Sequence, residues 1–132
     1  MGTIASKRVS CILLLLLMLT ASVGIARAAD LDAAKVLQTT GVRGGLVVHL
    51  GCGDGKLTAG LRANDSALVH GLDIDAKKIS AARERISNTR LAGKVTFDVL
   101  RSNSLPYTDN LVNLIVSDDL GEIPVAEAMR VL

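Results

Sequence analysis

Residues Val47–Gly55, VVHLGCGDG, decide the fold of this chain. The run Leu46–Leu50 is apolar apart from His49, and it leads without a break into three glycines in the pattern G-x-G-x-G. A continuous apolar run bounded by glycine is typical of a buried parallel strand. Glycines after such a strand let the backbone turn tightly and let a ligand approach without Cβ atoms in its way. The stretch therefore predicts a strand, a ligand-binding turn and a following helix.

Strand-like and helix-like segments alternate on both sides of this motif. Upstream, Asp30 is predicted to cap a short helix that ends near Gly41, and downstream Asp75 is predicted to cap a helix with Ile79, Ala82 and Ile86 on its apolar face. The other predicted elements are a strand at 46–50, a helix at 56–63, strands at 67–74, 95–100 and 111–116, and a helix at 125–132.

This alternation implies a parallel sheet with right-handed crossovers. The predicted fold class is α/β, a Rossmann-like three-layer domain with a mostly parallel sheet of about four strands. The last helix has no stop signal and should lead into a further strand, so we expect the domain to be incomplete at its C-terminus and the chain to be a fragment, an incomplete gene product or a domain completed by a partner.

The first 28 residues have the layout of a secretory signal peptide. Lys7 and Arg8 form a charged start, Cys11–Met18 is an apolar run, and Ala26–Ala28 is a small-residue ending. The alternative is a membrane anchor, which needs about 20 apolar residues. We therefore expect cleavage after Ala28, export to the periplasm or medium, contact with a membrane only through this segment, and a domain formed by residues 29–132.

Charge and cysteine content exclude some functions of the remaining chain. Three of the 15 basic residues, Lys7, Arg8 and Arg27, lie in the predicted signal, so acids slightly outnumber bases in the rest. Nothing in that balance indicates a nucleic-acid partner. Of the two cysteines only Cys52 lies beyond the signal, so an intramolecular disulfide cannot form in the exported part.

The spacing of the glycines bears on the choice of cofactor. Dinucleotide-binding turns have the pattern G-x-G-x-x-G, whose third glycine would fall at Lys56, and this disfavours a nicotinamide oxidoreductase. The motif instead resembles the first motif of class I S-adenosylmethionine-dependent methyltransferases, and in particular of methyltransferase domains of type 11. Three further stretches resemble that family in the same order: 70–75 (HGLDID), 105–116 (LPYTDNLVNLIV) and 127–132 (EAMRVL).

The resemblance implies S-adenosylmethionine as cofactor and methyl transfer to an acceptor that the sequence does not identify. It implies that Asp73 binds the ribose hydroxyls, since a carboxylate can accept hydrogen bonds from two neighbouring hydroxyls. The cofactor-binding residues that it indicates are Gly51, Cys52, Gly53, Asp54, Gly55, Asp73 and Ile74.

Simpler interpretations of these residues stay open. Asp73 could equally cap the next helix, and a residue such as Asp54 is common in turns without any contact to a ligand. Cys52 can simply fill a small space in the loop, since the sequence offers it no partners for catalysis or metal binding. His49 and His70 lie on different strands and lack a third ligand, so no metal site is predicted. No catalytic residue is predicted, and Asp118 and Asp119 after the fourth strand fit a loop best.

The chain also departs from the family at two cofactor positions. Where the family usually has an acid two residues before the first glycine, this chain has His49, and where it has an acid near the adenine, this chain has Arg101. A neutral His49 would hold the cofactor's amino group less well than an acid, and a protonated one would repel it. A signal, a methyltransferase-like domain and these altered positions occur together in this chain. In that combination the chain resembles long exported proteins in which such a domain precedes a β-propeller of the quinoprotein (PQQ-like) type. The alternative function is therefore a non-catalytic Rossmann-like module of a larger exported protein.

Overall fold

The computed structural model describes residues 32–132, so the predicted signal segment 1–28 and Asp30 lie outside the described residues. The described part contains α1 (Ala33–Thr40), β1 (Gly45–Leu50), α2 (Lys56–Gly60), β2 (Ala67–Asp73), α3 (Ala76–Ser87), β3 (Val95–Val99), β4 (Leu114–Val116) and α4 (Val125–Val131). The strands form one sheet in the order β3-β2-β1-β4, and every neighbouring pair is parallel. The predicted α/β Rossmann-like class with four strands is confirmed.

Helix α3 follows the prediction closely, whereas the cap of α1 does not. The Asp75 carboxylate accepts hydrogen bonds from the amides of Lys77 and Lys78, and the apolar stripe of α3 is buried. Helix α1 begins at Ala33, two residues later than the predicted cap implied, because Asp32 is its N-cap and accepts from the Ala34 amide at 3.1 Å. Both acids suit an N-cap by type, so their order in the sequence could not separate them.

Strand β4 is half as long as the predicted strand 111–116. Asn110 has a positive φ of 55°, which turns the backbone away from an extended path. The amides of Asn110 and Val112 then bond to the carbonyls of Arg130 and Val131 on α4, and Leu111 is half exposed. The apolar residues before Leu114 therefore join a loop to α4 rather than pairing with β1.

Two apolar layers cover the two faces of the sheet. One layer contains Val47, Val69, Leu61 and Ile79, and α1 packs against it through Ala33 and Val36. The other layer joins β1 and β2 to α4 and to the segments flanking β4, through Val48, Leu50, Leu72, Leu105, Val112, Ile123 and Val131. None of the helices in the described part of the chain is long and apolar enough to cross a membrane.

Phe97, the single phenylalanine, attaches the glycine-rich turn to β3. A Cβ atom built on Gly55 would lie 2.5 Å from Cζ of Phe97, and one built on Gly71 would lie 2.5 Å from Cδ1 of the same ring. The ring thus occupies the space that two missing side chains leave open. This contact sets the position of the turn relative to the sheet.

Candidate functional site

A cavity of about 610 Å³ lies where the chain leaves the carboxyl ends of the four strands. Ligands of open α/β sheets bind at this end, and the volume falls in the range of about 300–1,000 Å³ that is usual for small-molecule sites. Its walls come from the ends of β1, β2 and β3 and from the segment after β4, and consist of Leu50, Gly51, Leu72, Asp73, Ile74, Leu100, Arg101, Ser102, Asn103, Asp119, Leu120, Gly121, Glu122 and Ile123.

The turn after β1 presents bare backbone in left-handed conformations. Gly51 has φ 71° and Gly53 has φ 54°, and a Cβ atom on either would meet nothing within 4 Å. The amides of Gly51 and Cys52 both donate to the Leu72 carbonyl, at 2.8 and 3.2 Å, so the turn is bound to the end of β2. Gly51 lines the cavity. The glycines thus leave open space at the point where the chain turns out of the strand.

Asp73, at the end of β2, is 7% exposed and lines the cavity. Its Oδ2 accepts from the Gly53 amide at 3.0 Å, and its Oδ1 accepts from the Asp75 amide at 2.9 Å. Each carboxylate oxygen can accept two hydrogen bonds, so each retains capacity for one further donor. Helix α3 is capped by Asp75, which leaves Asp73 to fix the glycine turn and to face the cavity.

The remaining predicted residues divide between the cavity and the core. Ile74 lines the cavity and is 80% exposed. Cys52 is buried among core residues, and burial, reinforced by the charge of Asp73, raises the pKa of its thiol to about 12. Asp54 does not line the cavity and forms an ion pair with Arg85 at 2.9 Å. Gly55 is buried against Phe97 and Ala82, outside the cavity wall.

His49 is buried behind the turn and does not line the cavity. Its Nδ1 lies 2.8 Å from Oγ1 of Thr58 on α2, a hydrogen bond between two buried side chains. Burial lowers the pKa of His49, and the charges of Asp118 and Asp73 only partly oppose this effect. The imidazole is therefore neutral at neutral pH, and it neither attracts nor repels a ligand's amino group strongly.

A clamp on α4 positions the loop that follows β3. Glu127 accepts from the Leu105 amide at 2.7 Å and from the Ser104 hydroxyl at 3.0 Å, while Arg130 donates to Glu127, to Asp109 and to the carbonyls of Leu105 and Tyr107. The hydrogen bond from Arg130 is the main reason that the pKa of Glu127 falls to about 2. This clamp holds the segment that carries Arg101, Ser102 and Asn103 against the cavity.

A second polar chain crosses the β3 edge of the sheet. The Tyr107 hydroxyl lies 2.6 Å from Nδ1 of His70, Nε2 of His70 lies 3.0 Å from Asp98, and Asp98 also pairs with Arg83 at 2.6 Å. Burial, with a smaller contribution from Asp98, raises the pKa of Tyr107 above its usual range. The carboxylate on β3 is thus held by Arg83 and His70 and is absent from the cavity wall.

The sequence predicts a loop at Asp118 and Asp119, and it does not predict that residues 119–123 form a wall of the cavity. Gly121 has φ 59°, its amide donates to the Asp119 carboxylate at 2.9 Å, and Ile123 is buried beneath. The available signal was topological, because a segment that follows a parallel strand next to β1 emerges beside the glycine turn. Asp119 lies in a loop, as predicted, and it also holds the turn at Gly121 and lines the cavity.

Comparison with known proteins identifies relatives of this chain. Residues 47–132 match the family model described as a methyltransferase domain. Methyltransferase GfsG of Streptomyces halstedii is 34% identical over 64 residues, which are 48% of this chain and 23% of that protein.

Two solved structures share the fold at low identity. One is an S-adenosylmethionine-dependent methyltransferase from Aquifex aeolicus, with TM-score 0.63, 22% identity, and coverage of 76% of this chain and 57% of the other. The other is geranyl diphosphate C-methyltransferase from Streptomyces coelicolor A3(2), solved with Mg²⁺, geranyl diphosphate and S-adenosyl-L-homocysteine, with TM-score 0.66, 20% identity, and coverage of 76% and 39%. The chain thus spans less than two thirds of the length of each of these relatives. With the family model matching well over half of its residues, the chain belongs to the methyltransferase domain family.

Proposed function

We propose that the cavity at the strand ends binds S-adenosylmethionine and that the domain transfers its methyl group to an acceptor. One observation carries this proposal: the wall of a single cavity combines the bare backbone of Gly51 with the buried carboxylate of Asp73 and the exposed side chain of Ile74. Membership of the methyltransferase domain family supports it.

The residues present fit the cofactor's three parts. Open space above Gly51 and Gly53 suits an amino-acid chain lying against backbone, since a Cβ atom at either position would protrude into it. Asp73 keeps one acceptor site on each oxygen for the two ribose hydroxyls. Ile74 and Leu100 offer apolar surface to a flat base.

Methyl transfer requires little covalent chemistry from the protein. When bound, the cofactor supplies a methyl group activated by attachment to a positively charged sulfur. The chain's own task is to hold that methyl in line with the acceptor atom and to exclude water. Asp119 and Glu122, on the wall after β4, place negative charge beside the cavity, and this charge favours a cationic ligand.

Calorimetric titration of the chain with S-adenosyl-L-homocysteine tests the cofactor site. We expect saturable binding by the natural chain, weakened at least tenfold in Gly53→Ala. Gly93→Ala is the matched control, because Gly93 also has a positive φ of 80° and open space around it but lies outside the glycine-rich turn, whereas the Gly53 amide donates to Asp73 on the cavity wall. No detectable binding at millimolar ligand, or equal weakening by both variants, contradicts the proposal.

A non-catalytic Rossmann-like module of a larger exported protein is the second candidate. It is favoured by two positions at which the family's usual acid is absent: His49 is neutral and bonded to Thr58, and Arg101 is a cation. The two candidates differ in turnover. Binding without transfer of labelled methyl to any acceptor fraction of an extract favours the module, whereas labelling that depends on Gly53 favours the enzyme.

Export is part of the proposal and rests on residues 1–28 alone. Their charged start, apolar run and small-residue ending support cleavage after Ala28 and delivery to the periplasm or medium. A PQQ-like β-propeller after the domain belongs to the same proposal and rests on the resemblance of the sequence. N-terminal sequencing of the mature protein tests the cleavage: a start at Ala29 supports it, and a retained Met1 contradicts it.

A further inference from the structure

The order of the strands determines the direction in which a bound nucleoside extends, if the proposed function is correct. β1, β2 and β3 lie side by side, so the glycine turn, Asp73 and the start of the loop after β3 follow one another along the cavity. A nucleoside with its ribose on Asp73 and its amino-acid chain over Gly51 would extend its base towards β3. Leu100 and Arg101 line that end of the cavity and would face the base.

The hydrogen-bonding groups at this end of the cavity favour a base that accepts. Arg101 is exposed, and within residues 32–132 its guanidinium forms no ion pair. Arginine can only donate hydrogen bonds, whereas the neighbouring Ser102 and Asn103 can donate or accept. The nearest carboxylate on β3, that of Asp98, is engaged by Arg83 and His70. Arg101 is therefore the one wall residue here whose donor character is fixed.

Purines differ in the hydrogen-bonding group at position 6 of the ring. The 6-amino group of adenine donates a hydrogen bond, while the 6-oxo group of hypoxanthine or guanine accepts one, and arginine pairs preferentially with O6 and N7 of a 6-oxopurine. We propose that Arg101 is a specificity-determining residue that makes the site accept 6-oxopurine nucleosides, so that S-inosyl-L-homocysteine binds at least as tightly as S-adenosyl-L-homocysteine.

Competing titrations with the two nucleosides test this proposal. The natural chain should bind the inosyl compound with a Kd equal to or lower than that of the adenosyl compound. Arg101→Asp should shift the ratio of the two Kd values at least tenfold towards the adenosyl compound, because a carboxylate accepts from the 6-amino group and repels the 6-oxo group. Arg101→Gln, whose amide can donate or accept, should fall between them.

Arg90→Asp is the matched control, because Arg90 is also exposed but lies outside the cavity wall. It should leave the ratio unchanged. The proposal is overturned if the natural chain binds the adenosyl compound at least tenfold more tightly, or if Arg90→Asp shifts the ratio as much as Arg101→Asp. Failure of both compounds to bind instead contradicts the proposed function itself, and this inference with it.

Discussion

Gly55→Ala should destabilise the domain much more than Gly51→Ala, although both change a glycine of one motif. Both glycines have a left-handed backbone, with φ values of 77° and 71°, and an L-residue in that conformation costs about 1–2 kcal/mol. At Gly51 the added methyl meets nothing within 4 Å. At Gly55 it would lie 2.5 and 2.8 Å from ring atoms of Phe97 and 2.9 Å from Cβ of Ala82.

Overpacking of this kind adds about 1–3 kcal/mol, so the expected loss is about 2–5 kcal/mol for Gly55→Ala against about 1–2 kcal/mol for Gly51→Ala. Because small domains are stable by only about 5–15 kcal/mol, the difference is measurable. Urea unfolding followed by far-ultraviolet circular dichroism gives both values. Combining Gly55→Ala with Phe97→Leu should recover part of the loss, because the shorter side chain vacates the contact. Equal losses in the two single variants would refute the different roles assigned to these glycines.

Three further perturbations test the site. Asp73→Asn leaves one oxygen for the two amides that the carboxylate now accepts, so we expect a loss of about 1–3 kcal/mol in unfolding free energy and weaker cofactor binding, measured by urea unfolding and calorimetry. The pKa of His49 is lowered in the folded state, so below the ordinary histidine pKa of about 6.5 the unfolded chain binds more protons than the folded chain. The free energy of unfolding should therefore fall as the pH drops from 7 to 5, and it should fall less in His49→Gln. The same dependence of unfolding free energy on pH in both chains contradicts this prediction. Cys52, buried and with its pKa raised to about 12, should react with iodoacetamide at pH 8 only after denaturant is added. Rapid labelling of Cys52 in the native chain, located by peptide mass spectrometry, would show that the turn is open.

The elements that local chemistry determines were predictable. Asp75 predicted the start of α3, and the helical spacing of Ile79, Ala82 and Ile86 predicted its buried face. The structure confirms both. The strand leading into G-x-G-x-G likewise identified the turn, because few backbone paths other than a tight strand-to-helix turn need glycine at alternate positions.

Features set by distant contacts could not be predicted from the sequence. Leu111 and Val112 have strand-like composition, but the positive φ of Asn110 and the bonds to α4 remove them from the sheet. The direction of the Asp54 side chain depends on Arg85, which lies 31 residues later. Whether His49 is charged depends on its burial against Thr58, and a strand pattern alone does not report that partner.

The motif also does not predict the separate role of each glycine. Gly51, Gly53 and Gly55 look equivalent in sequence, yet the first two face open space and the third packs on Phe97. That Gly51, Gly53 and Asp73 bind a cofactor remains a prediction. The structure adds a physical reason for expecting it, because Asp73 holds the turn and still faces the cavity.

Nuclear magnetic resonance titration of the ¹⁵N-labelled chain with S-adenosyl-L-homocysteine tests the location of the site most directly. We predict saturable amide shifts at the wall residues Gly51, Ile74 and 101–103 and at Gly53, whose amide donates to Asp73 on the wall. We predict none at Gly41 or Gly93, which neither line the cavity nor bond to Asp73. Shifts confined to other parts of the chain, or no shifts at saturating ligand, would contradict the assignment of the cavity as the cofactor site.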